Sequence, residues 1–365
     1  MKKIFSLVIA ALILIIGCDE KFPTPAPAPP PAPVTPEDTD TESDNGSNDE
    51  EEKEENETPD ENGNQDSDSP FKEVTLAAKF KEDFSEKSSG FLKFVPKTGG
   101  DDFRYYSGHP SLSENNTKIM MMRVDPTDGE GWGKGPQITT KDYTFYGSYS
   151  ARMRVPNTKK VQKNLGAVAG LYTYDVDAEF GHSEIDIELR ISDPTIIYLS
   201  AWTGKGTGLN RISRTINLAK GSIIDCSYGT GTTEKGKLTD GQNMPASISA
   251  ISDFDASAKF HTYGFDWKPD RITWWIIPNG KTEKVVLWDY EGKELFPDSN
   301  APSGIPVLPS YYTSSFWHST TRLADKLTNA KEAPKYPFEL EIDWMTYEPF
   351  EDLNNEWLKK DVNNI

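Results

Sequence analysis

The chain has 365 residues, of which 35% are hydrophobic and 27% charged, and its formal net charge is −19. A mean hydropathy of −0.64 excludes a polytopic membrane protein. No basic face is apparent for a phosphate backbone, so we expect no nucleic-acid partner.

The negative charge is concentrated near the N terminus. Residues 19–69 contain 18 Asp and Glu residues against only Lys21 and Lys53, a balance of −16. Because Lys2 and Lys3 precede this stretch, residues 70–365 carry a net charge of only −5. This part of the chain therefore has the balance of an ordinary globular protein, and its length is within the reach of a single all-β domain.

Residues 1–17 have the pattern of a secretory signal peptide. Lys2 and Lys3 form a positive n-region, and residues 4–16 are almost continuously apolar but too few to cross a bilayer comfortably. Gly17 and Cys18 resemble the end of the lipobox of bacterial lipoproteins, in which cleavage leaves the cysteine as a lipidated first residue. We therefore expect a lipid on Cys18 to anchor the protein to the bacterial outer membrane, at the cell surface. An uncleaved anchor helix is the alternative.

Residues 18–69 are predicted to form a disordered linker. Eight of the fourteen residues from 23 to 36 are proline, which is typical of a semi-rigid polyproline spacer. Residues 37–68 are almost wholly Asp, Glu, Asn, Ser, Gly and Thr, a composition that buries too little apolar area to fold. We interpret the linker as a tether that holds a domain away from a membrane, with calcium or protein binding as the alternative.

Residues 70–350 are predicted to form one all-β domain, followed by a C-terminal tail at 351–365. Short apolar and aromatic runs alternate with Gly, Pro, Asn and Asp breaks, and many of the runs have a period of two, which indicates an antiparallel β-sandwich. The predicted strands are 118–124, 143–155, 166–174, 183–190, 196–203, 261–267, 271–277, 284–290, 311–317 and 338–347. Residues 218–258 have weak periodicity and are predicted as a long loop over one sheet face, and 352–362 as a short helix.

The segment with the clearest chemical pattern is Glu184-Ile185-Asp186-Ile187-Glu188. On a strand, its three carboxyl groups project from one face and the aliphatic side chains from the other. Three like charges on one face repel one another and raise at least one pKa. A structural role would avoid this arrangement, whereas acid–base chemistry uses it.

A pair of glutamates in this arrangement suits glycoside hydrolysis with retention of configuration. Positions i and i+4 on a strand are about 13 Å apart along the chain, and side chains that lean together can approach the roughly 5–5.5 Å separation of retaining enzymes. One carboxylate would attack the anomeric carbon, and the other would protonate the leaving oxygen. The intervening aspartate would help to set the two glutamate pKa values apart. The alternative is an acidic, solvated strand face.

The motif and its surroundings resemble glycoside hydrolase family 16, and the resemblance extends through most of residues 110–348. The matching segments in chain order are 146–149 with 152–154, 169–174, 184–188, 260–269 leading into 272–275, 314–317, and 341–344. The resemblance implies an all-β jelly-roll β-sandwich of the concanavalin A type, with a glycan cleft on its concave face. It also implies that Glu184 is the nucleophile, Asp186 the assisting residue and Glu188 the general acid/base.

The motif lacks the extra residue that forms a bulge in laminarinase-, agarase- and carrageenase-like members, so it is similar to that of lichenases and xyloglucan-active enzymes. An unbulged strand aims its side chains differently from a bulged one. Two departures from the lichenase pattern affect expected substrate contacts. His182-Ser183 stands where lichenases have Trp-Asp, and Gln137 and Thr139 align with a Glu-x-Arg pair.

Aromatic side chains are expected to line the cleft, because sugar faces stack on rings. By the resemblance, the substrate-binding candidates are Tyr172, Trp202 and Trp317, together with His318 and His182. The core is the expected place for Trp267, Trp274 and Trp344. Cys226 would have no disulfide partner if Cys18 is lipidated, and it is expected to be a partly buried thiol.

We expect no catalytic metal and no required cofactor, because the four histidines show no ligand spacing. Asp343 aligns with an aspartate that binds a structural Ca²⁺ in many family members, so an oxygen-ligated Ca²⁺ at this residue is an optional feature.

These features predict a monomeric, lipid-anchored, retaining endo-β-glycanase that hydrolyses an extracellular polysaccharide by double displacement. The expected substrate is a β-1,3/1,4- or β-1,4-glucan, and the alternatives are xyloglucan, β-1,3-glucan and a galactan. A non-catalytic surface glycan-binding protein and a transglycosylase are the competing hypotheses. The three carboxyl groups argue against the first of these, because binding alone would not need them.

Overall fold

The computed structural model describes residues 74–358, apart from 87, 97–102, 106–111, 116, 132, 178–180, 206–207, 232, 239–246 and 321–329. The predicted signal peptide, Cys18 and the whole of the predicted linker therefore lie outside the described residues. Within these ranges, no helix is long and apolar enough to cross a membrane.

Two antiparallel sheets contain the described strands. The sheet of eight strands comprises β1 (Phe80–Glu82), β3 (Phe103–Tyr105), β4 (Met120–Val124), β6 (Gly147–Arg154), β13 (His261–Lys268), β14 (Arg271–Ile277), β15 (Val285–Glu291) and β17 (Phe338–Pro349). Its order is β15-β14-β13-β6-β17-β4-β3, and β1 also pairs with β17.

The sheet of nine strands carries the acidic motif. It comprises β2 (Leu92–Val95), β5 (Gln137–Thr140), β7 (Ala167–Asp177), β8 (Gly181–Arg190), β9 (Ile196–Gly204), β10 (Asn210–Asn217), β11 (Ser222–Thr230), β12 (Thr233–Lys237) and β16 (Tyr311–His318). Its order is β12-β11-β10-β9-β8-β7-β16-β5-β2, which places β8 in the middle of the sheet. The non-sequential order of strands and the two packed sheets match the predicted jelly-roll β-sandwich.

The hydrophobic core lies between the sheets and is made from alternate residues of each strand. On β6 the odd-numbered residues Tyr149, Ala151 and Met153 are fully buried, as the period of two predicts. Trp267 and Trp274 belong to the core, as expected. Trp344 is buried outside this cluster, where its indole N–H donates to Glu114.

One part of the predicted organisation is wrong. Residues 218–258 do not form one long loop over a sheet face, because β11 and β12 extend the nine-stranded sheet at its edge. Strand β10, which precedes β11 in the chain, was also not predicted from the sequence. Its core-facing row places Arg214 between Ile212 and Ile216, so the segment lacks the apolar alternation on which the prediction relied.

An α-helix, α1 (Glu351–Leu358), follows β17 and agrees with the helix predicted near the C terminus. It packs on the segment before β6. Asn354 donates its side-chain amide to the carbonyl of Tyr146, and Trp357 contacts the Phe145 ring edge-on at 4.8 Å between centroids. The helix is therefore part of the folded domain rather than a separate tail.

Candidate active site

The acidic motif lies on a regular strand. β8 pairs with β7 from Val168↔Arg190 to Asp177↔Gly181, and with β9 from His182↔Gly204 to Leu189↔Ile197, without a register shift on either side. The predicted unbulged geometry is therefore confirmed. The aliphatic residues Ile185, Ile187 and Leu189 face the core, and the carboxyl groups project from the opposite side of the sheet, which we call the outer face.

All three carboxyl groups are nearly inaccessible to water. The exposed fractions are 1% for Glu184, 2% for Asp186 and 7% for Glu188. Burial raises the pKa of Glu184 to about 8, a hydrogen bond with Asp186 opposes that rise, and the charge of Glu188 adds to it. Burial likewise raises the pKa of Asp186 well above its usual range. A hydrogen bond between two carboxyl groups requires one proton between them, so the pair retains a proton at neutral pH.

His182 contacts Glu184 directly. Its Nε2 lies 2.5 Å from Glu184 Oε2, and both side chains are buried. Burial lowers the pKa of His182 to about 4, although the charge of Asp175 acts in the opposite direction. The imidazole is therefore neutral near pH 7, and with its proton on Nε2 it would donate to the ionised Glu184. The predicted substrate contact of His182 is in the structure a contact with this carboxyl group.

Asp186 and Glu188 have different partners on the outer face. Ser200 of β9 donates its hydroxyl to Asp186 Oδ2 at 2.5 Å. Arg190 lies two residues beyond Glu188 on the same face, and its guanidinium is 3.1 Å from Glu188 Oε2. The three acidic side chains therefore occupy three distinct electrostatic environments, as a division of chemical roles would require.

Hydrogen bonds on the core-facing side of β8 hold this strand in place. Trp274 donates its indole N–H to the backbone carbonyl of Asp186 at 3.0 Å. Ser183, whose side chain points away from the carboxyl groups, donates to the carbonyl of Leu308 and accepts from Ser310. These contacts fix the strand that carries the acids against the core.

Two of the predicted sugar-binding aromatic residues lie on the outer face and are partly exposed. Tyr172 is directly opposite Asp186, and Trp317 lies on β16 opposite Val168. His318 follows Trp317 and consequently points to the other side of the sheet, where it is fully buried and 3.5 Å from Asp128. The prediction that His318 contacts the substrate is therefore wrong, because its side chain is buried on the side of the sheet away from the carboxyl groups.

Trp202 faces the same side as Glu184, which it opposes across β8 and β9. Only 2% of the residue is exposed, and the Arg211 guanidinium lies 5.5 Å from the centre of its ring. Its indole N–H donates to Ser200 at 3.2 Å, which connects Trp202 to Asp186 through one hydroxyl group. Trp202 is thus well placed to support the acids but offers little open ring surface.

Two arginines of the outer face were not predicted from the sequence. Arg190 continues the alternation of the motif, so the period of two was a signal that identified its face. Arg211 carried no such signal, because β10 itself was not predicted. A cationic row beside the acids appears only when β8, β9 and β10 are placed side by side.

A Ca²⁺ ion at Asp343 stays a prediction, for which the structure offers one buried carboxylate oxygen, Oδ1, without a hydrogen-bond partner among the described residues. A register shift in β17 between Ile342 and Trp344 turns Asp343 towards Arg152, whose guanidinium lies 2.5 Å from its Oδ2. The same oxygen accepts the backbone N–H of Glu114. Calcium binds six to eight oxygens, and a guanidinium beside the carboxylate would repel the ion. Within the described ranges, no group of three or more His, Cys, Asp or Glu residues is arranged to hold a metal.

A comparison with protein families finds one that covers most of the described domain. Residues 99–345 match the family model of glycosyl hydrolases family 16. This match includes β8 and both of its neighbouring strands.

Curated relatives are similar to the chain at low identity. A beta-glucanase of Bacillus amyloliquefaciens is 25% identical over 270 residues, which cover 73% of this chain and 86% of that protein. A beta-glucanase of Acetivibrio thermocellus is 25% identical over 210 residues, 57% of this chain. The matched region spans only 45% of the length of the latter protein.

Solved structures resemble the chain at the level of the fold. A prokaryotic beta-1,3-1,4-glucanase (lichenase) derived from a mouse hindgut metagenome has a TM-score of 0.46 and 19% identity, with 75% of this chain and 100% of that chain covered. The catalytic domain of an endo-1,3-beta-glucanase (laminarinase) from Thermotoga petrophila has a TM-score of 0.45 and 14% identity, with 76% and 99% covered.

Proposed function

The chain belongs to glycosyl hydrolases family 16, and from this membership we propose that it is a retaining endo-β-glycanase that cleaves an extracellular polysaccharide. The observation that carries the proposal is the row of three buried carboxyl groups on one regular strand, where burial raises the pKa of Glu184 and of Asp186. Burying three like-charged groups costs stability. A function that uses their ionisation accounts for that cost.

In the proposed reaction, Glu184 attacks the anomeric carbon and Glu188 protonates the oxygen of the leaving sugar. A covalent glycosyl-enzyme forms, and Glu188 then acts as a base that activates water to release the product. The neutral His182 donates to the ionised Glu184 before attack. Asp186 keeps the shared proton and donates it in a hydrogen bond to Glu184 while that carboxylate is ionised, until the charge disappears in the covalent intermediate.

The proposed substrate is a β-1,3/1,4- or β-1,4-linked glucan. The unbulged strand of the acidic motif and the names of the relatives, which are beta-glucanases, support this class. Xyloglucan, β-1,3-glucan and galactan remain the alternatives. Product lengths from barley β-glucan, laminarin, xyloglucan and marine galactans would identify the backbone.

The decisive experiment follows the configuration of the first product. Proton NMR at early times should show the new reducing end in the β configuration before mutarotation, and Glu184→Gln and Glu188→Gln should each lower kcat at least about 10³-fold. Glu283→Gln, the same change on an exposed turn, is the matched control. Initial release of the α anomer would contradict the retaining mechanism, and full activity in Glu184→Gln would contradict the nucleophile.

A glycan-binding protein without activity and a transglycosylase are the competing functions. The first predicts that no polysaccharide of the panel is cleaved by the wild type, while binding persists. The second predicts that an added oligosaccharide acceptor lengthens the products and suppresses the release of reducing ends. Both outcomes are visible in the same assay.

We also propose that Cys18 carries the lipid that anchors the protein at the outer membrane. Gly17 before this cysteine and the short apolar run before both residues support the proposal. Cys18→Ala should move the protein from the membrane fraction to the soluble fraction. Continued sedimentation with membranes would contradict it.

A further inference from the structure

We propose that Arg211 forms a subsite for an anionic substituent of the glycan, a carboxylate or sulfate group, beside the candidate catalytic centre. This inference rests on the proposed function and narrows its substrate class. The first observation that supports it is the pairing register of strands β8, β9 and β10. Glu184 lies opposite Trp202, and Trp202 lies opposite Arg211, on three adjacent strands and on the same outer face.

The position of Arg211 lies along the path that a bound glycan would take. Neighbouring strands are about 4.8 Å apart, so the backbone of Arg211 is about 10 Å from that of Glu184 across the sheet. A glycan that crosses the strands with its scissile bond at Glu184 would reach Arg211 within its neighbouring sugar units. Two hydrogen bonds, from Trp202 to Ser200 and from Ser200 to Asp186, connect the neighbour of Arg211 to the acidic residues.

Among the residues that the structure describes, the guanidinium of Arg211 is buried without a counter-charge. Only 8% of the residue is exposed, and its Nε is fully buried without a hydrogen-bond partner in the part of the chain that the structure describes. Among those same residues, no carboxylate lies within ion-pair distance of it. It contacts the ring of Trp202, and its charge acts on Tyr198, whose pKa burial raises. Taking a cation out of water without an anion costs several kcal/mol.

Several acidic residues of the neighbouring strands already have cationic partners. Lys237 binds both Asp225, at 2.6 Å, and Glu234, at 2.8 Å. Arg190 binds Glu188 at 3.1 Å. These carboxylates are already paired, so they do not balance the charge of Arg211, and a charged ligand would balance it.

The chemistry of the guanidinium favours an anion over a neutral sugar hydroxyl. A hydroxyl would satisfy one N–H, but the charge would remain uncompensated. A carboxylate or sulfate accepts two parallel hydrogen bonds from a guanidinium, and this bidentate geometry can include Nε. A purely structural role, in which the side chain covers Trp202 through a cation–π contact, is the alternative that the experiment must separate.

The first experiment measures affinity without turnover. In the Glu184→Gln background, native gel electrophoresis in the presence of polysaccharide compares a neutral β-glucan with the same glucan carrying sparse sulfate or carboxymethyl groups. We expect at least tenfold tighter binding to the anionic glucan. Adding Arg211→Met should reduce that preference to less than threefold, and adding Arg211→Lys should retain part of it.

The matched control is Arg271→Met in the same background, because it removes an exposed positive charge from the other sheet. It should leave the preference unchanged, which separates the subsite from non-specific charge effects. Equal affinity for the two glucans with Arg211 present would overturn the proposal. An equal loss of affinity for both glucans in Arg211→Met would also overturn it, in favour of the structural role. Cooperative thermal unfolding of each variant checks that it folds.

A second experiment is independent of polysaccharide cleavage. In ¹H–¹⁵N spectra of the arginine Nε–H groups, the signal that is absent from Arg211→Lys belongs to Arg211. It should shift during titration with D-glucuronate and not with D-glucose at the same ionic strength. An unchanged signal would overturn the subsite even if neutral glucans are cleaved. If the signal shifts but no polysaccharide of the panel is cleaved, the result supports the subsite and contradicts the proposed hydrolysis.

Discussion

Glu184 has surroundings that oppose its ionisation and two contacts that favour it. Burial and the charge of Glu188 raise the pKa of the carboxyl group to about 8, whereas the hydrogen bond with Asp186 acts against this rise. The His182 imidazole, neutral because burial lowers its pKa to about 4, is the nearest donor. The ionised nucleophile that the proposed reaction needs is therefore available only because a few short contacts support it.

The pH profile should report on the His182 contact. We expect kcat/KM to fall on the acid side as the free enzyme protonates Glu184, with the acid limb near pH 8. His182→Phe keeps a ring but removes the donor, so the pKa of Glu184 rises further and the limb moves to higher pH. A shift of one unit lowers kcat/KM about tenfold at pH 6. The measurement is the kcat/KM profile between pH 5 and 10.

The control for this prediction is His182→Gln, whose amide N–H can donate in the same direction. Its acid limb should remain closer to that of the wild type than the limb of His182→Phe. Titratable groups around the contact include Asp175, Asp186 and Glu188, with Tyr172 and Tyr174, and these variants leave all five in place. An unchanged limb in His182→Phe would contradict the role of the imidazole.

The buried carboxylate of Asp343 and the partly buried guanidinium of Arg152 form an ion pair at the bulge of β17. Asp343→Asn would leave Arg152 without its charge partner, and breaking such a pair costs about 3–5 kcal/mol. We expect the free energy of unfolding, measured with denaturant, to fall by that amount. Treatment of the wild type with a chelator should leave the unfolding midpoint unchanged. A large loss of stability on chelation would instead support a Ca²⁺ site.

Helix α1 offers a test of stability at the scale of an element. Trp357 is buried against Phe145, and Asn354 bonds the carbonyl of Tyr146, so the helix covers one end of the core. Trp357→Ala should lower the free energy of unfolding by about 3 kcal/mol because it leaves a cavity there. Leu358→Ala, at the exposed neighbouring position, should change it by less than about 0.5 kcal/mol. Equal effects of the two would show that the helix does not pack as described.

The elements that the sequence predicted well are those with regular apolar alternation. β6, β8 and β14 each place one row of apolar side chains in the core, and their predicted limits agree with the structure or differ by a few residues. β10 and β11 break this rule. Arg214 occupies a core-facing place in β10, and in β11 Ile224 is exposed while Cys226 is buried. Pattern alone could not identify strands whose burial depends on neighbours distant in sequence.

The same limit applies to the site. The three acids could be predicted because they lie on one strand, where the period of two fixes their common face. The ion pair of Arg190 lies within the same strand, but the contacts of Trp202, Ser200 and Arg211 arise across strands β8 to β10. They depend on pairing register, which no short stretch of sequence encodes.

At the scale of the whole molecule, the acids should make stability depend on pH. The folded protein holds a proton on Glu184 up to about pH 8, whereas the unfolded chain releases it near pH 4.5. The stability contributed by the protonated form is therefore fully present below pH 4.5 and is lost as the pH rises to about 8. Burial of Asp186 acts in the same direction.

Glu184→Gln removes this titration, so the variant should gain stability relative to the wild type as the pH rises. We expect the difference in free energy of unfolding between variant and wild type to favour the variant by about 3 kcal/mol more at pH 8 than at pH 5. Denaturant unfolding at both pH values measures it, and the exposed Glu283→Gln should show no such change. A difference that is the same at both pH values would mean that Glu184 ionises normally in the folded protein. The expected gain arises because the same buried charge that destabilises the fold is the one that the proposed reaction requires.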